Sequence, residues 1–322
     1  MERKNKILMV EGSAAAPLQW LQARAEVLEV ASQAPDFSRH LQDADGLVVR
    51  TYTRVDEALL ARAPRLRVVG RGGVGLENID VAACRQRGIE VVYTPDANTL
   101  AVADFVFGCM LQLLRPWASF RDRPHAPEEF KRIRNELRGR QLNELTLGIL
   151  GLGRVGRRVG HIAANGFAMR VIYNDIIDFN QHGTQPSFRA QAVEKSALYR
   201  EADVLSIHVD MRPGNENLVG HSELAMMKPD AILINTSRGE VLDVTALADA
   251  IREKRLVGAA IDVFSPEPPG PVFPLLGLPN VLLTPHMAAR THTAIDNMSW
   301  VVRDVMRVLE GATPQFPAPI QE

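Results

Sequence analysis

Short runs of aliphatic and β-branched residues alternate with helix-sized stretches along this chain, and the alternation runs twice. In the first hundred residues the strand-like runs are Lys6–Val10, Ala25–Val30, Gly46–Val49, Leu66–Gly70 and Ile89–Tyr93. Helical candidates such as Pro17–Arg24, Asp56–Ala61 and Asp80–Arg87 separate them. A long apolar helix is expected from Asn98 to about Arg115, and a charged segment follows from Arg121 to Arg140. The rhythm then restarts with runs at Thr146–Gly153, Met169–Asp175, Asp203–Val209, Ala231–Ser237, Val257–Val263 and Val281–His286. Strands that alternate with helices build parallel sheets covered on both faces. With 322 residues, two such domains are expected rather than one.

The second series opens on "LTLGILGLGRVGRRVG". Gly151, Gly153 and Gly156 form G-x-G-x-x-G between an aliphatic strand and a helical pattern, and Asp175 ends the next strand 19 residues after Gly156. That combination is the dinucleotide fingerprint: glycines for a tight turn and close approach of a pyrophosphate, and an acid for the adenosine ribose hydroxyls. The Asp175 carboxylate would repel a 2′-phosphate, and Ile176 and Ile177 follow it rather than an arginine, so NAD is expected rather than NADP.

Composition excludes several other classes. The formal net charge is −1, with 37 Lys and Arg against 38 Asp and Glu, and no basic stripe stands out. A nucleic-acid surface is therefore not expected. Two cysteines, Cys84 and Cys109, have neither metal-ligand spacing nor the number for a disulfide framework. The apolar run at the N-terminus stops after Val10, too early for a signal-peptide core, and Phe105–Leu114 is too short to span a bilayer. A cytoplasmic protein that binds no membrane, nucleic acid or metal is expected.

Three residues at the ends of later strands stand out. Arg238 follows the strand Ala231–Asn235, Glu267 lies five residues after Asp262, and His286 ends the next strand. Ligands in open α/β sheets bind outside the carboxyl ends of strands. Singly, each residue has an ordinary explanation: a surface ion pair, a solvated loop, a satisfied core histidine. Together, after a dinucleotide fingerprint, they read as a site. Glu267 also sits among Pro266, Pro268, Pro269, Pro271 and Pro274. Proline fixes φ and donates no backbone hydrogen bond, so this stretch is a stiff loop. It reads as a rigid mount for the carboxylate.

With these stretches and "VGRGGVGLENIDVAACRQRGIEVVYTPDANT" (Val69–Thr99), the chain resembles the D-isomer-specific 2-hydroxyacid dehydrogenases over nearly its whole length. The resemblance implies an α/β fold of two Rossmann-like or flavodoxin-like parallel-sheet domains with the active site in the cleft between them. It implies a discontinuous substrate domain, residues 1–98 plus 288–322, and an NAD-binding domain, residues 99–287. His286 would be the general acid/base at the 2-keto oxygen, and Glu267 would orient it and raise its pKa. Arg238 would pair with the substrate carboxylate, and Asp262 would contact the nicotinamide end of NAD. Arg154 and Val155 would lie on the pyrophosphate, while Val209, Thr236 and Ala289 would line the cofactor. Backbone groups of Gly72, Gly73, Val74 and Gly75 would grip the carboxylate.

"LVVRTYTRV" (Leu47–Val55) resembles a segment of the phosphoglycerate dehydrogenase branch. There Arg50 would bind a second anionic group on the substrate, or else be a surface arginine. The expected reaction moves a hydride between NAD(H) and C2 of a small D-2-hydroxy or 2-keto acid: 3-phosphoglycerate, glycerate or hydroxypyruvate, or glyoxylate. The alternative is an NAD-sensing interaction protein of the co-repressor type. Formate dehydrogenation is disfavoured, because those relatives carry Gln where Glu267 stands. A homodimer is expected, because the long apolar helix needs cover on both sides. Several departures bear on substrate choice. "RIRNELRGRQLNEL" lacks the usual tryptophan, Asp104 replaces a common Glu, and Met287-Ala288-Ala289 follows His286. Feedback control through a C-terminal regulatory domain is not expected.

Overall fold

The computed structural model describes residues 3–115, 126–179 and 185–319. The chain divides into two compact units, Met1–Asn98 with Ala289–Glu322, and Thr99–Ala288.

The first unit is built on a five-stranded parallel sheet: β1 (Lys6–Met9), β2 (Glu26–Glu29), β3 (Gly46–Val49), β4 (Val68–Arg71) and β5 (Glu90–Tyr93), in the order β2-β1-β3-β4-β5. This is the flavodoxin-like order, with its reversal between β1 and β3. The central strands bury both faces, as the near-continuous aliphatic runs require. One face carries Leu8, Leu47, Val69 and Val91 against Leu41, Leu59 and Leu60. The other carries Ile7, Val48 and Val68 against Val301, Val302, Val305 and Met306 near the end of the chain. Gly70 permits that packing, since a β-carbon there would strike Val305.

The apolar residues near the end of the chain lie on two helices, His292–Ser299 and Val302–Leu309. The Ser299 hydroxyl donates to the Ile295 carbonyl at 2.8 Å, a side-chain bond that bends helices. Residues after the second helix then pair along the β5 edge, where Tyr93 N–H donates to Phe316 O and Ala318 N–H to Val91 O.

The second unit holds seven parallel strands: β6 (Thr146–Leu150), β7 (Arg170–Asn174), β8 (Gln191–Ala192), β9 (Val204–Ile207), β10 (Ile232–Asn235), β11 (Gly258–Ile261) and β12 (Val281–Leu283). Their order is β12-β11-β10-β9-β6-β7-β8. This is the doubly wound dinucleotide-binding order, extended by one strand. The strand order reverses at β6, which lies between β7 and β9. The edge strand β8 was not expected; it is two exposed residues, too short for a hydrophobic pattern.

The long helix spans Thr99–Leu114 and packs Val106, Phe107, Met110 and Leu113 into the core beside β6. Leu100, Asp104, Gly108 and Leu111 form an exposed stripe, so one face of this helix is not buried within the protomer. Of the charged segment expected at 121–140, residues 121–125 lie outside the described residues. Pro127–Glu136 forms a helix that buries no residue.

Candidate active site

The glycine turn closes directly on β6. Gly151 has φ +94°, a conformation side chains rarely adopt. A β-carbon there would also lie 2.9 Å from the His208 backbone and from Val209, so this turn and the loop after β9 touch at their base. Gly156 packs against the Gly151 carbonyl. Gly153 differs: a β-carbon there would meet nothing, so protein packing does not explain its being glycine. It precedes the helix Arg154–Gly166 without a side-chain cap. The space open beside Gly153 thus adjoins the positive dipole end of that helix, the setting an anionic pyrophosphate needs.

Asp175 follows β7. Its Oδ2 accepts from Leu152 N–H at 2.5 Å and its Oδ1 from Ile177 N–H at 2.9 Å. A carboxylate has about four acceptor sites, so acceptors remain for ribose hydroxyls. Thr236, just beyond β10, has a buried hydroxyl with no hydrogen-bond partner. An open glycine, an uncapped helix start, a fixed carboxylate and an orphaned hydroxyl along one sheet edge fit a dinucleotide. Val209 is half-buried beside the turn, and Arg154 and Val155 open the helix.

Arg238, Glu267 and His286 follow the adjacent strands β10, β11 and β12 at the same carboxyl edge. The turn that carries Arg238 is tied by Asn235, which is fully buried. Its Nδ2 donates to Arg238 O at 2.9 Å, and its Oδ1 accepts from Ser237 N–H and Oγ–H at 3.0 and 2.9 Å. Gly239 lets the next loop lie against this turn, since a β-carbon there would come within 2.6 Å of Ser265 N. The proline-rich loop thus rests on the arginine turn, two residues before Glu267.

His286 directs Nδ1 at the Glu267 carboxylate, 3.0 Å from each oxygen. Nδ1 therefore carries the proton, and Nε2 is left for other chemistry. His286 has φ +49°, which is costly for a non-glycine residue. Asp262 holds it there. The Asp262 carboxylate is 1% exposed. Its Oδ1 accepts from Thr284 Oγ1–H (2.6 Å) and Met287 N–H (2.8 Å), and its Oδ2 from Ala288 N–H (2.8 Å). Three of the Asp262 acceptor sites serve the turn behind the histidine.

Gly72, Gly73, Val74 and Gly75 follow β4 in the first unit. Gly72 N–H donates to Val49 O and Gly73 N–H to Arg71 O, so those two amides are already engaged. The N–H groups of Val74 and Gly75 have no partner among the described residues. Arg50 follows β3 in a tightly held loop. The Glu11 carboxylate accepts from the N–H groups of Arg50, Thr51, Tyr52 and Thr53 at 2.7–3.2 Å. Asn78 Nδ2 donates to Arg50 O and Thr53 O.

The Arg50 guanidinium is half-buried beside Met298, with no carboxylate at ion-pair distance among the described residues. Burial first, then the charge of Arg290, push its pKa down, while Glu11 opposes them. Glu11, Asn78, Asn235, Thr284 and Arg290 were not singled out by sequence. None belongs to a recognisable spacing, and strand-end position was the only signal available for Glu11 and Asn235. Ala289 falls in the first unit, where its carbonyl accepts from Thr291 N–H.

Residues 107–288 match the family described as D-isomer specific 2-hydroxyacid dehydrogenase, NAD binding domain. The chain belongs to this family. A D-3-phosphoglycerate dehydrogenase of Methanocaldococcus jannaschii is 37% identical over 84% of this chain, which spans 51% of that longer protein. An (S)-sulfolactate dehydrogenase of Chromohalobacter salexigens is 37% identical over 86% of this chain and 89% of its own length. Among solved structures, the TT0316 protein from Thermus thermophilus superimposes with a TM-score of 0.85 at 31% identity, over 98% of this chain and 100% of its own. As a D-isomer specific 2-hydroxyacid dehydrogenase, the chain has its NAD-binding domain in the second unit, and the glycine turn and Asp175 lie within it.

Proposed function

We propose that the protein is an NAD(H)-dependent oxidoreductase that interconverts a small D-2-hydroxy acid and its 2-keto acid. The observation that carries this reading is the His286–Glu267 pair, an imidazole aimed by a carboxylate at the same sheet edge as the glycine turn. Bound nicotinamide supplies the hydride to C2, or accepts it in the reverse direction. His286 delivers its Nε2 proton to the 2-keto oxygen, and in the reverse direction removes it from the hydroxyl. Glu267 fixes the tautomer and stabilises the imidazolium. Arg238 pairs with the substrate carboxylate and polarises the carbonyl. The Val74 and Gly75 amides are donors open to an anionic group.

Arg50 and Arg290 are assigned to a second anionic group on the substrate. Burial and the nearby Arg290 charge both weigh against the charged Arg50 guanidinium, and a bound anion would relieve them. The relatives named for phosphoglycerate and sulfolactate act on acids of that form, which supports the reading. Hydroxypyruvate and glyoxylate lack the second anion and are the competing substrates.

A homodimer is proposed as the working form. Support comes from the exposed Leu100 and Leu111 and from the helix Pro127–Glu136, which buries nothing in the protomer. A cytoplasmic location is proposed from the two buried, unpaired cysteines, Cys84 and Cys109. Among the described residues, no helix is long and apolar enough to cross a membrane.

The test is NADH oxidation with phosphohydroxypyruvate, hydroxypyruvate, glyoxylate and pyruvate. Turnover that His286→Ala lowers by about 10²–10⁴-fold is expected. Tight NADH binding with no turnover on any acid would overturn the enzyme reading in favour of an NAD-sensing protein.

A further inference from the structure

The loop after β9 carries a charge pair that the site described above does not use. Arg212 donates from Nε to Asp210 Oδ1 at 2.7 Å and from Nη2 to Oδ2 at 2.5 Å, a two-pronged pairing. Asn215 closes the loop: its Nδ2 donates to Asp210 O at 2.9 Å, and its N–H to Arg212 O at 3.0 Å. Both charged side chains are about half exposed. An isolated pair of that kind contributes little to stability.

The sheet order gives this pair a position with consequences. β6 lies between β7 and β9, so Asp175 after β7 and Arg212 after β9 stand on either side of its carboxyl end. The strands they follow are two strand spacings apart, about 10 Å. The glycine turn lies between them, and Gly151 already packs against the start of the Arg212 loop. Arg212 is held in its charged form first by the Asp210 hydrogen bonds and charge, and additionally by the Asp175 carboxylate. Opposite charges thus face each other across the end of β6. Asp210 takes Nε and Nη2 of the guanidinium, while the side chain remains 47% exposed.

We propose that Arg212, held in place by Asp210, is a cofactor-binding residue that lays its guanidinium face against the adenosine half of the dinucleotide, opposite Asp175. Asp175 takes the ribose hydroxyls, and Arg212 covers the base by cation–π stacking. Asp210 neutralises the arginine and occupies its fork, so the loop offers no advantage to a 2′-phosphate. This inference rests on the dinucleotide reading of the site.

The test is calorimetric titration with ADP-ribose, which lacks nicotinamide, together with NADH and NADPH. Arg212→Gln is expected to weaken ADP-ribose and NADH binding about tenfold, with an unchanged thermal midpoint. Arg212→Lys keeps the charge but loses the planar face, and is expected to fall with Arg212→Gln. Wild-type affinity for ADP-ribose in Arg212→Gln would overturn the proposal, as would rescue by Arg212→Lys. A loss confined to NADPH would overturn it in favour of a phosphate contact. Failure of the wild-type protein to bind ADP-ribose at all would instead overturn the dinucleotide reading.

Discussion

His286 shows how much a single side chain depends on groups that never meet a substrate. Its positive φ is held by Asp262 through three hydrogen bonds to Thr284, Met287 and Ala288. All three partners are donors, so an amide in place of the carboxylate turns one acceptor into a donor facing donors. Asp262→Asn is therefore expected to lower kcat by about 10²-fold, because a small misplacement of the acid/base is that costly. NADH affinity should change much less, and stopped-flow kinetics with NADH titration separates the two effects.

His208 carries a different kind of consequence. Burial pushes its pKa down to about 4, from an ordinary value of 6.5, and its Nε2 pairs with the buried Ser206 hydroxyl at 2.8 Å. The folded state holds it neutral, while the unfolded chain takes up a proton below pH 6.5. Its stabilising effect is thus complete above about pH 6.5 and is lost as pH falls to 4, a change of about 3 kcal/mol. Urea unfolding of wild type and His208→Gln should show a stability gap that narrows across that window. A constant gap would contradict the assignment.

Among the elements, two glycines make opposite predictions from the same kind of geometry. Gly153 opens the helix Arg154–Gly166, and a methyl there meets no protein atom. Gly153→Ala should fold with a wild-type melting temperature yet bind NADH at least tenfold more weakly, because the methyl occupies the path of the pyrophosphate. Gly239 packs against the Phe264–Ser265 backbone. Gly239→Ala must push the proline-rich loop outward, and Glu267 with it. Turnover should fall sharply while NADH binding remains near wild type, with steady-state kinetics and calorimetry as the measurements. The prolines around Glu267 restrict the loop, but its seat is the glycine of the neighbouring turn. That seat was not legible in the sequence, because Gly239 and Ser265 are far apart in the chain and belong to no common motif.

For the whole molecule, the homodimer proposal turns on a helix face. Thr99–Leu114 reads as apolar all round, and in the protomer Leu100 and Leu111 remain exposed. Leu111→Arg is expected to shift the protein from dimer to monomer in sedimentation velocity without unfolding it; an unchanged sedimentation coefficient would exclude this face.

The sequence by itself determined the two parallel α/β series, the glycine turn with Asp175, and the trio Arg238, Glu267 and His286. Each is a local pattern: a strand period, a turn needing glycine, a polar residue at a strand end. Only the tertiary structure decided which amides of Gly72–Gly75 are available, that Asp262 serves the histidine turn, and that Glu11 ties down the Arg50 loop. It also decided that Asp175 and Arg212 flank one strand end. These depend on which hydrogen-bond partners distant segments supply and on strand order. A linear pattern carries neither, because both are set by long-range packing.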